Sequence, residues 1–367
     1  MDFEIPDRRS TKIDHYQTDH RRGQLKRSWA IGLHQQRNGS EEIAFNEGLT
    51  WGSIGQLLGY LLGDVDDELK DQLYDLMLSQ YRLGSRGRSL RMADPQRRLV
   101  RVASWNLRYS ATKRSRQLLA YLESMDWDVI LLQEVSEKAW RLLRKMEDVQ
   151  ALYALDGFGI EPQGKVHHGV AVLARNGLSL HAPQTIAGLP KDERALSVRV
   201  EGLETPFRAV TWHAPNASGE GRSVKMQAYT AMTAYLAQLQ EPTVLGFDGN
   251  HWNRNISLTM AASPDPGSDW YPESEFFCRQ PAHNLYDTLI AYLKNDSVGY
   301  RRLVQRRPEG PLAVSYIRGS SNKPIPDRFD YIFASEHFDT DYCEYDFEGA
   351  IAASSDHALV QADLTLR

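Results

Sequence analysis

The chain has 367 residues, of which 41% are hydrophobic and 25% charged, with a net charge of −5. That composition predicts a soluble globular protein of two domains, or of one large domain with an attachment. No apolar run approaches the roughly 20 residues of a membrane span, the charged stretch Met1 to Arg27 lacks the apolar centre of a secretory signal, and Cys278 and Cys343 are too few and too far apart for a disulfide framework or a thiolate zinc site. A cytoplasmic protein with no membrane partner is expected.

Residues 1–45 show no sustained periodicity and read as a charged arm. Residues 46–83 read as a helical hairpin. Ile54, Leu57, Leu58, Leu61 and Leu62 repeat at helical spacing after Thr50 or Ser53, and Gly63 ends the run. Leu69, Leu73, Leu76, Met77 and Tyr81 line a second helix from about Asp66 to Arg82. A hairpin this small is marginal alone and calls for a partner surface, so it is expected to bind a protein partner or a target. It resembles the small helical heads of some prokaryotic restriction and defence nucleases. Residues 84–97, rich in Arg, Gly and Ser, read as a linker. Arginines and lysines crowd two places, Arg8 to Arg27 and Arg82 to Arg101. Each cluster reads either as a solvated segment or as a patch that meets phosphates.

From Leu99 onward strands alternate with helices. Strands are expected at Leu99 to Trp105, Val129 to Leu132, Gly169 to Arg175, Leu196 to Val200, Phe207 to Trp212, Thr243 to Phe247, Phe329 to Ala334, Tyr342 to Phe347 and Ala358 to Leu366. Helices are expected over Ser115 to Met125, over Ser136 to Glu147 with Ser136 as its cap, and over Ser223 to Leu239. Residues 98–367 therefore predict an α/β or α+β layered domain around a large mixed sheet core.

These strands repeatedly end in a residue able to bind metal or phosphate. Asn106, Glu134, His213, Asp248 with Asn250, Asp330, and Asp356 with His357 all occupy such ends. Alone, Asp248-Gly249-Asn250 reads equally as a turn, His213 as a core histidine, and Glu134 as a helix-capping acid. Together, a carboxylate such as Glu134 and an amide oxygen such as Asn106 suit Mg²⁺, which takes few protein oxygens. Asp248 is placed to accept a proton from an attacking water while Asn250 holds a phosphoryl oxygen. His357, oriented by Asp330, suits a phosphate contact as an imidazolium.

Trp105-Asn106, Gln133-Glu134, the Gly169 to Leu173 strand, Trp212-His213, Asp248-Gly249-Asn250, Arg328 to Tyr331 and Ser355-Asp356-His357 resemble, in order, the motifs of the endonuclease/exonuclease/phosphatase (DNase I-like) superfamily. The resemblance covers about residues 98–367. It implies a four-layer αββα sandwich of two mixed sheets flanked by helices, and phosphoester hydrolysis dependent on Mg²⁺ or Mn²⁺. It places Asn106, Glu134 and Asp356 at the metal, and His213, Asp248, Asn250, Asp330 and His357 in catalysis, with His213 donating to the phosphate or leaving group. Abasic-site endonucleases of the superfamily carry tyrosine where this chain has His213 and just before the Gly-Val strand, where it has His167-His168, so abasic specificity is not expected. His167 is a candidate phosphate contact in place of that tyrosine, and Arg194 stands where many members carry an arginine.

His251 and Trp252 open an aromatic segment after the Asp248 turn and either stack on bases or pack within their own loop. The expected activity is a divalent-metal-dependent phosphodiesterase on nucleic acid, DNA favoured over RNA, as an endonuclease with a possible setting in prokaryotic defence. The alternatives are a hydrolase of inositol-phosphate or sphingomyelin type, which the overall acidity favours, and a non-catalytic binding scaffold.

Overall fold

The computed structural model describes residues 99–109, 115–156, 168–251, 272–278, 281–320 and 323–367. The expected arm, helical hairpin and linker of residues 1–97, together with His167 and Trp252, lie outside them.

In chain order the elements are β1 (Leu99–Asn106), α1 (Ser115–Ser124), β2 (Val129–Ser136), α2 (Glu137–Leu143), β3 (Gln150–Tyr153), β4 (His168–Ala174) and β5 (Ser179–Gln184). After a 3₁₀ turn at Asp192–Arg194 come β6 (Ala195–Glu201), β7 (Phe207–His213), α3 (Ala217–Glu220), α4 (Arg222–Ala237), β8 (Thr243–Asp248) and α5 (Pro272–Phe276). The last part holds β9 (Leu285–Asp287), α6 (Thr288–Asn295), α7 (Ser297–Arg306), β10 (Tyr316–Ser320), β11 (Lys323–Asp327), β12 (Asp330–Ser335), β13 (Phe338–Asp346), α8 (Phe347–Ala352) and β14 (Leu359–Leu366).

Among the described residues the strands form two mixed six-stranded sheets, in the orders β13-β14-β1-β2-β4-β3 and β5-β6-β7-β8-β12-β9, plus a β10-β11 hairpin. Each sheet has one parallel pair at its centre, β1 with β2 and β7 with β8. A parallel pair needs a crossover, supplied by α1 in the first sheet and α4 in the second, so both strands of each pair finish at the same sheet edge.

Strand alternation assigns the faces. Val100 and Val102, Val129 and Leu131, Val170 and Val172, Phe207 and Ala209, Val244, and Ile332 and Ala334 share one core between the sheets. The opposite side chains of the second sheet, Val210, Trp212, Leu245, Phe247, Tyr331 and Phe333, pack on Ala228, Tyr229, Met232 and Leu236 of α4. On the first sheet the outward Trp105 ring meets Tyr121 of α1 edge-on at 5.1 Å. Helices thus flank both sheets.

Gly246 is needed where the sheets come closest. A Cβ there would stand 2.6 Å from Leu131 Cδ1 and 2.9 Å from the Cβ atoms of Leu131 and Ser104 on the opposing sheet. Gln133 spans the same gap, its Nε2 donating to Thr211 Oγ1 at 3.0 Å and lying 3.3 Å from the Gly246 carbonyl.

Several boundaries differ from the sequence reading. The helix capped by Ser136 ends at Leu143 rather than near Glu147, and the chain continues in turns whose N–H groups bond Trp140, Leu142 and Leu143. The strand expected from Tyr342 begins earlier, at Phe338, with an irregularity between Thr340 and Tyr342 that interrupts its alternation. Arg101, counted in the second arginine cluster, lies in β1 and is bound by Asp363 and Asp126, so it is not offered to a phosphate.

Candidate active site

Register brings the polar strand ends together. Asn106 pairs with Gln133 across β1 and β2, His213 with Asp248 across β7 and β8, and Asp330 with Asp248 across β12 and β8. Asp248 continues the face of Val244 and Gly246, and Asp330 that of Ile332, so both side chains enter the gap between the sheets. His357 arrives from the first sheet just ahead of β14, which runs antiparallel to β1. Its backbone is tied to that strand. Trp105 Nε1 donates to the His357 carbonyl at 3.1 Å, and Ser355 Oγ donates to the Asn106 carbonyl at 2.6 Å while accepting from His357 N at 3.0 Å.

Glu134 reaches the gap by a different device. Simple alternation would turn it away from Leu131 and Gln133 toward the outer face. A register shift between Leu132 and Val135 interrupts the β2-β4 ladder, and Glu134 takes φ +52°. The bulge re-aims the carboxylate. Glu134 Oε2 accepts from Tyr109 N at 2.9 Å, and Oε1 lies 3.6 Å from His213 Nε2.

Two groups of ligating side chains result. Glu134, His168 and His213 form one, and Asp248, Asp330 and His357 the other, with the donor atoms of each group within 4.8 Å of one another. In the second group His357 Nδ1 is 2.8 Å from Asp330 Oδ2 and 4.0 Å from Asp248 Oδ2. Burial opposes the charge on His357, but Asp330 and Asp248 outweigh it and raise the imidazole to about 10. Asp248, fully enclosed, is pushed up by burial to about 7, with His357 opposing the rise. Its Oδ1 accepts from Asn250 N at 2.8 Å and its Oδ2 from Asn106 Nδ2 at 2.9 Å. His213 is held well below the usual histidine range by burial first and then by Arg194, so it stands as a neutral imidazole.

Other candidate residues have specific partners. Asn250 Nδ2 donates to the Ala214 carbonyl at 2.8 Å and lies 3.5 Å from Asp248 Oδ2. This arrangement braces the turn rather than presenting the amide to a phosphoryl oxygen. Asp356 pairs with Arg108 at 3.4 Å and belongs to neither ligating group. Arg194 is largely buried and spends both terminal nitrogens on Glu220, at 2.9 and 2.8 Å. The His251 ring stacks on Phe277, just past α5, with centroids 5.3 Å apart, and burial lowers it to about 3.

Three residues near this edge were not singled out from sequence. His168 shares the face of Val170 and Val172, so strand parity alone favours it over His167 as the residue facing the gap. Lys225 of α4 donates to the Asn250 carbonyl at 2.8 Å and fixes the turn after Asp248. Tyr316, from the hairpin, sets its ring 4.8 Å from that of His357; nothing in its local sequence marks it.

Whether a divalent cation suits this edge is decided by its donors. Glu134 is a re-aimed carboxylate, still 23% exposed, that accepts one backbone N–H and lies 3.6 Å from His213 Nε2. Asn106, on the neighbouring strand end, turns its Oδ1 toward the Arg108 N–H at 2.9 Å and keeps a second lone pair. A partly exposed carboxylate with an enclosed amide oxygen beside it fits a hard divalent ion.

The model of the Endonuclease/Exonuclease/phosphatase family matches residues 103–244. No curated protein matches the chain. Among solved structures, the endonuclease/exonuclease/phosphatase from Bacteroides vulgatus is 16% identical, covers 74% of this chain and 100% of its own, and superposes with a TM-score of 0.50. TDP2 from Caenorhabditis elegans is 14% identical, with coverage of 86% and 94% and a TM-score of 0.50. The 3′ phosphatase NExo from Neisseria, bound to a product DNA hairpin, is 18% identical, with coverage of 72% and 98% and a TM-score of 0.49. With its strand-end residues gathered at one edge of two packed mixed sheets, the chain has the fold of these structures, and residues 103–244 match the endonuclease/exonuclease/phosphatase family.

Proposed function

We propose that the protein is a divalent-metal-dependent phosphodiesterase that hydrolyses nucleic acid, cutting DNA internally. The observation that carries this reading is a buried carboxylate raised to about 7, Asp248, beside the His357 and Asp330 pair at 2.8 Å. A base acts best when its pKa lies near the working pH, so Asp248 is poised to take the proton from an attacking water. His357, held as an imidazolium, sets a fixed positive charge against the phosphoryl oxygens, where charge grows in the transition state. Asn106 and Asn250 hold the Asp248 carboxylate in one orientation. Glu134 and Asn106 would hold a Mg²⁺ or Mn²⁺, which supplies further positive charge against the phosphoryl oxygens when bound.

The rim favours a polymeric, base-bearing substrate. Tyr109 is 39% exposed and stacks on His168 with centroids 5.2 Å apart, a platform that suits a base. Arg108, next to it, has a side chain 49% exposed beside Asp356 at 3.4 Å, a surface pair that could exchange for a backbone phosphate.

The test is a hydrolysis panel with Mg²⁺ or Mn²⁺ on closed circular plasmid, single-stranded DNA, RNA, inositol phosphates and sphingomyelin. Nicking of the closed circle, which has no ends, is expected. Cleavage confined to the non-nucleic phosphoesters would overturn the reading.

A further inference from the structure

The group formed by Glu134, His168 and His213 is unlike a hard-cation site, because two of its three donors are imidazole nitrogens. We infer that these three residues bind a borderline transition metal ion of the Zn²⁺ or Co²⁺ class, so that this edge takes nitrogen-loving cations more tightly than Mg²⁺ or Mn²⁺. The inference rests on the reading of Glu134 as a cation ligand and adds the histidines to it.

Geometry supports the grouping. Donor atoms around a tetrahedral ion bound at about 2.0 to 2.2 Å are about 3.3 to 3.6 Å apart. His213 Nε2 and Glu134 Oε1 already stand at 3.6 Å. The His168 and His213 rings have centroids 5.9 Å apart and a 42° interplanar angle, against about 5 Å for two imidazoles on one such ion. His168 has to move in to close the set, its donor nitrogen now lying within 4.8 Å of the other two donors. Asp248 Oδ2, 3.7 Å from His213 Nε2, is the neighbouring oxygen.

A second observation points to a ligand. Both ring nitrogens of His168 are buried without a hydrogen-bond partner, as is Nδ1 of His213, whose side chain is only 6% exposed. Enclosed polar atoms ordinarily find partners, and each that does not loses its hydration for nothing. A metal ion gives one nitrogen of His168 a bond, while His213 faces the group through Nε2, so its orphaned Nδ1 is not the atom a metal would meet. The site is also pre-formed. Tyr109 stacks flat on His168, and its backbone N–H fixes the far oxygen of Glu134, so one tyrosine orients two ligands. Imidazole nitrogen suits zinc, cobalt and related ions, whereas Mg²⁺ takes oxygen and keeps its waters.

The test is a Co²⁺ titration of the full chain, read by visible absorption, with Zn²⁺ competition and a parallel Mg²⁺ titration by calorimetry. One Co²⁺ per chain is expected, with the intense absorption of a low-coordinate nitrogen-ligated ion, displaced by Zn²⁺. His168→Phe should weaken Co²⁺ at least tenfold while changing Mg²⁺ affinity by less than threefold. His168→Asn, which keeps a polar side chain of similar reach, serves if the Phe variant does not fold, with the same expected loss. Unchanged Co²⁺ affinity in a folded His168 variant overturns the inference, and so does the weak absorption of an octahedral oxygen-ligated ion in the wild type. Because the readout is binding, either result leaves the phosphodiesterase reading to its own hydrolysis assay.

Discussion

The His357 and Asp330 pair makes a quantitative demand. A rise of the imidazole from 6.5 to about 10 corresponds to about 5 kcal/mol of preference for the charged ring, at about 1.4 kcal/mol per unit. Burial works against that charge, so the carboxylates supply more than the net. Asp330→Asn keeps a side-chain oxygen within reach of Nδ1 but removes the charge at 2.8 Å, leaving Asp248 at 4.0 Å. Loss of an opposite charge at that range lowers a pKa by about 1 to 3 units. The sign follows directly: His357 is charged below its pKa, so the variant loses the imidazolium at a lower pH than the wild type. Titration of the His357 ring signals by NMR in the metal-free protein reads this. The wild-type ring should stay charged past pH 9, and the variant should titrate at least one unit lower. The hydrolysis rate of the variant should fall by about 10²-fold at pH 8. A wild-type His357 titrating near 6.5, or an unchanged titration in Asp330→Asn, would refute the reasoning.

Other perturbations follow from the same structure. Arg328, fully buried, forks onto Asp287 at 2.6 and 2.8 Å just before Asp330; Arg328→Met should cost about 3–5 kcal/mol in chemical denaturation, since it strands the Asp287 charge. Gly246→Ala puts a methyl against Leu131 and Ser104 across the sheet gap and should destabilise by about 1–3 kcal/mol. Glu134→Gln, which removes the only carboxylate charge in its ligand group, should weaken Mn²⁺ binding at least tenfold by calorimetry while the thermal midpoint barely moves.

The sequence carries the site in proportion to how regularly its strands alternate. Thr243 to Asp248 is an unbroken buried strand, so parity alone places Asp248 with Gly246 in the sheet gap. Asp330 is legible for the same reason. Glu134 is legible as a strand end but not in its direction, because its aim depends on a bulge and a left-handed backbone that leave no mark in Val-Ile-Leu-Leu-Gln-Glu. His168 and His167 were separable by parity, yet resemblance to a tyrosine position drew the expectation to His167. The bracing role of Asn250 needed the Ala214 carbonyl, which belongs to a distant strand end. Residues 272–306 hold α5, α6 and α7, all missed; α7 fully buries no residue, though Tyr300, Leu303 and Val304 pack on the core at helical spacing, a short stripe that was there to read.

The central claim is that Asp248 serves phosphodiester hydrolysis at this edge. Asp248→Asn keeps the size of the side chain and the contact with Asn106 but cannot take a proton. The decisive measurement is the single-turnover cleavage rate of a labelled DNA duplex with Mn²⁺, comparing wild type and Asp248→Asn, with equal Mn²⁺ affinity verified. A loss of about 10²-fold or more is predicted; cleavage within threefold of wild type by a folded, metal-loaded Asp248→Asn protein would contradict it.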